Sequence, residues 1–315
     1  MKVSVVVTVL NEENTIVKLL DSLLVQTKEA NEIVVVDGSS NDKTAEIINR
    51  YQKKGARVIV FIEPCSIAEG RNFGIKMAKS PIIAQIDAGC VAKDDWLEKL
   101  IEPFERKAVE VVAGFYVMTG DSTLQRAVKP FLGTPQEWFK PETFLPSARS
   151  MAFRKSVWKK IGGFSEKLEK TSEDTLFNYN LIKRGIKIIR AKDALVYWEM
   201  PKTFSEILSK LYNYARGDSK SRIWWHPLQR TSTHNIKIMS IFARYLVVFL
   251  FLFFSINLPE LLYILMLGFL IYLGWSIIKM RDVVKDAKAR LWLPVIQVAS
   301  DFAIMAGFLS GLWRK

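Results

Sequence analysis

The chain has 315 residues, room for one large domain and an accessory part with a sizeable buried core. Its net charge is +13, and nine of those excess positive charges lie beyond residue 199, a distribution that suits an anionic membrane surface; no nucleic-acid recognition module accompanies it. The two cysteines, Cys65 and Cys90, give neither a disulfide framework nor a zinc spacing and fit a reducing compartment, and the apolar run at 3–10 is too short for a signal peptide.

In chain order, residues 3–10, 32–37, 57–62 and 82–87 are short, β-branched runs of the kind buried in a parallel sheet. Helical stretches at 15–25, 43–53 and 68–78 separate them. Ser66 and Glu69 have capping-box spacing and mark the third helix start. This repetition predicts an α/β fold, a twisted, mostly parallel sheet with helices on both faces. Ligands of such sheets bind beyond the carboxyl ends of the strands. A further strand is expected at 109–118, then an irregular stretch at 133–150 interrupted by Pro135, Pro141 and Pro146. A short strand at 151–154, a helical turn at 155–161 and a helix at 173–184 follow. Thr203 and Glu206 form a second capping box, opening a helix that runs toward Arg216.

Beyond residue 237 charge becomes rare. Segments 238–259 and 261–278 approach the roughly 20 residues a membrane-spanning helix needs. Asn257 to Glu260 forms a tight turn between them, so a hairpin is expected. A third segment, 291–313, is apolar apart from Asp301 and either spans or lies in the interface. The intervening 279–290 carries five basic residues against two acids, which makes it cytoplasmic by the positive-inside rule and the N-terminal domain with it. Trp224 and Trp225 read as an interfacial aromatic anchor. The expected organisation is a catalytic domain at 1–220, a basic and aromatic linker at 221–237, and a membrane region at 238–315. That makes a multi-pass protein of the cell membrane.

Chemistry gathers after the strand ends. Thr8, Leu10, Asn11 and Glu12 follow the first strand, where an amide and a carboxylate can contact a base or ribose. Asp37 closes the second strand before a turn through Gly38, Ser39 and Ser40, and can accept from a base; Asp42 is expected to cap the next helix. Arg71, between Gly70 and Asn72, can pair with phosphate oxygens, with the acids around Asp37, or form a salt bridge between turns. Asp87, with Ala88 and Gly89, ends the fourth strand, where a carboxylate can ligate a hard divalent cation. Glu173 and Asp174 open a helix, a position that the helix dipole favours for acids on its own account.

This ordered series resembles the family 2 glycosyltransferases of the GT-A fold over about residues 1–220. The resemblance implies an inverting transfer from a nucleoside-diphosphate sugar, with uridine favoured, usually with Mg2+ or Mn2+. It implies donor contacts at Thr8, Leu10, Asn11, Glu12, Asp37, Ser39, Arg71, Asp87, Ala88 and Arg216, with Asp87 also at the metal. It casts Asp174 as general base on the acceptor hydroxyl and Glu173 as its support. By analogy and position, 133–150 is an acceptor lid carrying Trp138 and Arg149. One departure stands out: the family's Asp-x-Asp motif has Gly89 at its second position, while Asp94 and Asp95 read as helix caps. The membrane segments suit a lipid-phosphate or lipid-linked saccharide acceptor. Gly89 keeps open a catalytically silent nucleotide-sugar-binding membrane scaffold. A nucleotidyltransferase is disfavoured, because Asn11, Glu12 and Glu13 stand where its Gly-rich phosphate loop belongs.

Overall fold

A computed structural model describes residues 1–55, 57–168 and 171–313. The chain divides into two compact units: Met1–Val117 with Lys140–Glu199, and Met118–Phe139 with Met200–Lys315. Residues 118–139 and the helix after residue 203 therefore belong with the C-terminal helices, not with the first unit.

The first unit is built on one eight-stranded sheet in the order β3-β2-β1-β4-β7-β6-β8-β5. Four strands are parallel: β1 (Val3–Val9), β2 (Glu32–Asp37), β3 (Val58–Ile62) and β4 (Ile82–Gln85). The valines and isoleucines of β1, β2 and β4 are buried on both faces, as crossover helices require, while the edge strand β3 is more exposed. Those helices are α1 (Ile16–Leu24), α2 (Thr44–Lys53) and α3 (Ile67–Met77), close to the expected spans. α1 buries Ile16, Leu19, Leu20 and Leu23, one helical stripe. α3 starts in the expected capping box of Ser66 and Glu69.

The expectation of a mostly parallel sheet holds only for this half. β5 (Cys90–Ala92), β6 (Val111–Thr119), β7 (Met151–Arg154) and β8 (Ile188–Glu199) bring antiparallel pairs β4–β7, β6–β7 and β5–β8, so the sheet is mixed. β5 and β8 had no counterpart in the sequence reading. In β8 the run Arg190, Lys192, Asp193 masks an inward alternation of Ala194, Val196 and Trp198. Helices α4 (Trp96–Ile101), α6 (Lys155–Ile161) and α7 (Glu173–Lys183) complete the unit with its α1–α3. Phe177 of α7 stacks on Phe164 with ring centroids 4.3 Å apart, fixing α7 against the loop that precedes it.

The second unit contains α5 (Thr123–Leu132) and α8 (Phe204–Ser221), followed by α9 (His234–Phe254), α10 (Glu260–Met280), α11 (Ala287–Arg290) and α12 (Trp292–Trp313). α5 was not expected, because Pro130 lies inside it; its start is a capping box of Ser122 and Gln125. α8 begins in the expected box of Thr203 and Glu206. Among the described residues three helical stretches are long and apolar enough to cross a membrane, His234–Phe254, Glu260–Met280 and Ala287–Trp313.

Candidate active site

The carboxyl ends of β1 and β2 lie side by side, with Val9 paired to Asp37. The loops that follow are laced together. Asn11 N–H donates to Ser40 Oγ at 2.8 Å, Asn41 N–H to Asn11 Oδ1 at 2.9 Å, and Glu12 N–H to Thr44 Oγ1 at 2.7 Å. Asn11 and Ser39 adopt left-handed backbone, with φ of 57° and 68°. Such conformations are uncommon outside glycine and concentrate at functional loops. Asp42 accepts from Thr44 N–H at 2.9 Å and from Glu13 N–H at 3.2 Å, so it caps α2 from the residue before the N-cap.

Asp37 is fully buried. Its Oδ1 accepts from the N–H and hydroxyl of Ser40 at 2.8 and 2.7 Å, while its Oδ2 has no partner, and neither has the buried Thr8 Oγ1. Two buried polar atoms without a partner at adjacent strand ends are uncommon and mark this place as a candidate site. α3 is pressed onto the same place. A Cβ on Gly70 would stand 2.6 Å from Thr8 Cγ2, and one on Gly74 2.7 Å from Val6 Cγ1. Only glycine permits this approach.

The approach carries Arg71 into the interior, 4% exposed. Its Nη2 donates to Asp87 Oδ1 at 2.6 Å, its Nη1 to Glu173 Oε1, and its guanidinium lies 5.6 Å from the Phe164 ring centroid. Of the pairings open in the sequence, the structure thus takes the salt bridge, to Asp87 and Glu173 and not to the acids around Asp37. Burial opposes the Arg71 charge, but the two carboxylates outweigh it and hold its pKa above the ordinary value. For Glu173, burial raises the carboxyl, Arg71 opposes, and Asp174 with Asp87 reinforces the rise.

Asn72, the next residue, saturates its amide. Nδ2 donates to Phe164 O at 2.9 Å and Glu166 Oε1 at 2.8 Å, while Oδ1 accepts from Trp158 Nε1 at 3.0 Å and Phe164 N–H at 2.9 Å. The sequence reading passed over this role, although Asn72 adjoins Arg71. The pair Arg71 and Asn72 therefore ties the end of β4 to the loop and head of α7. Ser172, with φ 69°, sets α7 off sharply. Asp174 Oδ1 accepts from Thr175 N–H at 2.7 Å, and its Oδ2 takes a longer bond of 3.3 Å from Ala148 N–H.

Arg149, beside Ala148, lies over Trp198 at 3.8 Å and Tyr116 at 5.5 Å from the ring centroids, and donates to Ser147 Oγ at 2.9 Å. Trp138 lies in a short 3-10 turn, Gln136–Trp138, and Arg216 on α8; both belong to the second unit. Leu10 is 54% exposed beyond β1.

For a metal, the carboxylate at the end of β4 is Asp87, one oxygen of which serves Arg71. Gly89 has φ 78°, and Glu12 Oε2 lies 4.0 Å from where its Cβ would stand. Among the described residues no group of three or more His, Cys, Asp or Glu could hold a metal ion by itself. One carboxylate does fit a hard cation completed by phosphate oxygens and water. Asp95 occupies the N-cap position of α4 without making a side-chain cap bond, its Oδ2 bonding Lys93 Nζ at 3.2 Å instead.

Comparison with known proteins matches residues 4–162 to the family described as Glycosyl transferase family 2. An uncharacterized glycosyltransferase, EpsJ of Bacillus subtilis (strain 168), is 28% identical over 220 residues, 65% of this chain and 63% of that one. The chain thus spans less than two thirds of that relative's length. The mannosyltransferase PcManGT from Pyrobaculum calidifontis, solved with GDP-Man and Mn2+, is similar with a TM-score of 0.70 at 16% identity, over 99% of this chain and 87% of that one. S. aureus TarS residues 1–349, solved with UDP, gives a TM-score of 0.51 at 23% identity, over 69% and 65%. At these identities the two structures establish a shared GT-A-like fold.

Proposed function

The chain belongs to glycosyl transferase family 2, and from that premise we propose that it is a glycosyltransferase, membrane-bound and inverting. It moves a sugar from a nucleoside-diphosphate donor, with uridine the first nucleotide to test, to a lipid-phosphate or lipid-linked saccharide acceptor. One observation carries the reading. A single buried guanidinium, Arg71, ties the acid that ends β4 to Glu173, the neighbour of Asp174 at the head of α7. An acid facing the donor and an acid facing the acceptor are thereby held in fixed relation, which a displacement at one carbon requires.

In this reading the nucleoside is received at the ends of β1 and β2, beside the unpartnered Thr8 Oγ1 and Asp37 Oδ2, and the left-handed turns at Asn11 and Ser39 shape the loops around it. Mg2+ or Mn2+ would be held by Asp87 together with the donor's phosphate oxygens, and when bound it neutralises charge on the leaving diphosphate. Arg71 orients Asp87 and never needs to meet a phosphate. Asp174 takes the acceptor's proton, its carboxylate aimed by the N–H groups of Thr175 and Ala148. Glu173 stays behind it against Arg71. Arg149, stacked on Trp198, is placed beside this acid for an acceptor's charged or polar group.

The exposed apolar residues of α9 and α10, such as Phe249, Phe253, Tyr263 and Leu267, support a membrane location, where such an acceptor resides. The basic 279–290 segment supports a cytoplasmic catalytic unit by the positive-inside rule. The test is turnover by the full chain reconstituted in lipid, with radiolabelled UDP- and GDP-sugars, membrane lipid extract, and Mg2+ or Mn2+ present or chelated. Label in a lipid-extractable product is expected. Nucleotide binding with no transfer from any donor would favour the silent scaffold instead.

A further inference from the structure

α12 has the length and hydropathy of a membrane span, yet its surroundings are not those of one. A third of its apolar window is buried, against 6% for α9 and for α10. The burial comes largely from α8, which runs beside it. Phe204 meets Trp292 with ring centroids 6.3 Å apart near one end. Toward the other, the helices touch backbone to backbone: a Cβ on Gly307 would stand 2.2 Å from Tyr212 O, and one on Gly311 2.6 Å from Arg216 O. The Gly-x-x-x-Gly face that would suit pairing of two membrane helices is thus occupied within the chain.

α8 cannot follow α12 into hydrocarbon. It carries Glu206, Lys210, Arg216, Asp218 and Lys220 within eighteen residues, and charged side chains at membrane depth are strongly unfavourable. The first turn of α12 is no more apolar in its contacts. Trp292 Nε1 donates to Thr123 Oγ1 of α5, beside the Arg126–Asp286 ion pair.

A second observation is independent of α8. Asp301, at the middle of α12, is 1% exposed and accepts from Arg244 Nη1 at 3.1 Å, Tyr245 Oη at 3.2 Å and Tyr272 Oη at 2.5 Å. Gln297 Nε2 joins it through Tyr272 Oη at 2.8 Å. In a spanning α12 this ion pair would lie at the bilayer midplane. In a helix lying along the surface it lies at headgroup level, where Arg244 can snorkel, and only the distal part of the hairpin between Arg244 and Tyr272 enters the acyl layer.

We propose that α12 does not cross the membrane but lies in the lipid–water interface. Its exposed stripe, Leu291, Val295, Phe302, Leu309 and Trp313, rests on the acyl boundary, and α8 covers its upper side. The α9–α10 hairpin alone enters the bilayer. This rests only on the membrane half of the proposed function, and topology is read without any transfer assay, so either can fail without the other.

The test uses the full chain in sealed vesicles, with Lys288→Cys before α12 and Leu312→Cys near its end, each in a C65S/C90A background, and a membrane-impermeant thiol reagent. Labelling of both positions from the same side is expected; labelling from opposite sides overturns the proposal. A second measurement needs no cysteine replacement. Phe302→Arg, at the centre of the exposed stripe, should leave the yield in the membrane fraction within about threefold of the parent, whereas Leu267→Arg on α10 should lower it about tenfold or more. Equal losses for the two arginines would show α12 at the same depth as α10, against the proposal.

Discussion

Asp174 and Glu173 are neighbours in sequence and differ in almost everything that matters chemically. Glu173 is 3% exposed and held by Arg71, whereas Asp174 is half-buried and held by backbone N–H groups. A general base must reach substrate, which is why the proposed mechanism gives that role to Asp174. Asp174→Asn should lower transfer to a hydroxyl acceptor by about 10²–10⁴ and transfer to a phosphate acceptor far less, since a phosphate is already ionised. Steady-state rates on both acceptor types would show this, and equal losses would contradict the assignment. Glu173 has a pH signature instead. Its folded pKa is raised, so it contributes stability that is fully present below the unfolded carboxylate value and is lost as pH rises through the folded value. The parent's advantage over Glu173→Gln in melting temperature should shrink as pH rises just above the ordinary carboxylate range, by about 2–4 °C for each kcal/mol in a protein of this size. A difference independent of pH would refute the raised value. Truncating Arg71 to Ala strands the buried Glu173 and leaves the partly exposed Asp87 without its cation, and should destabilise by about 3–5 kcal/mol, read from urea midpoints. Legibility at this scale was uneven: the acids were visible as motif residues, but the partner of Arg71 was not. Asp87 and Glu173 stand 16 and 102 residues away from it, separations that no local pattern encodes.

At the scale of elements, α3 shows how local rules and tertiary demands combine. Ser66 and Glu69 set its start as their spacing predicts. Gly70 and Gly74 are poor helix formers, and propensity alone would count against them. They are present because α3 must approach β1 within the reach of a single Cβ. Gly70→Ala should destabilise by about 1–3 kcal/mol through overpacking and weaken nucleotide binding by displacing Thr8, with Gly70→Ser at least as harmful. Thermal melts and nucleotide titration measure the two effects, and unchanged nucleotide affinity would separate Thr8 from the donor site. β8 and α5 are the converse case. Their signals, inward alternation at Ala194, Val196 and Trp198 and a Ser122–Gln125 capping box, exist in the sequence but are crossed by charges and by Pro130. Those interruptions are tolerated because the rest of each element finds its place in the fold.

At the scale of the molecule, the division into two units cuts across chain order, since residues 118–139 and α8 pack with the C-terminal helices. Gly307 and Gly311 let α12 lie against the backbone of α8, and Gly307→Val should force the two helices apart. A loss of about 1–3 kcal/mol, read as a lower melting temperature in detergent, is expected. Periodicity, capping and hydropathy are properties of neighbouring residues. For that reason the amino-acid sequence alone determined the strand–helix repeat, the family motifs in their order, the existence of three apolar helices and the basic segment between them. Which acid pairs with which base, where a glycine is compelled, and whether an apolar helix meets lipid on all sides or is sheltered along one face depend on residues far apart in the chain. Only the tertiary structure could decide those, because a buried charge or an apolar face takes its meaning from what is packed against it.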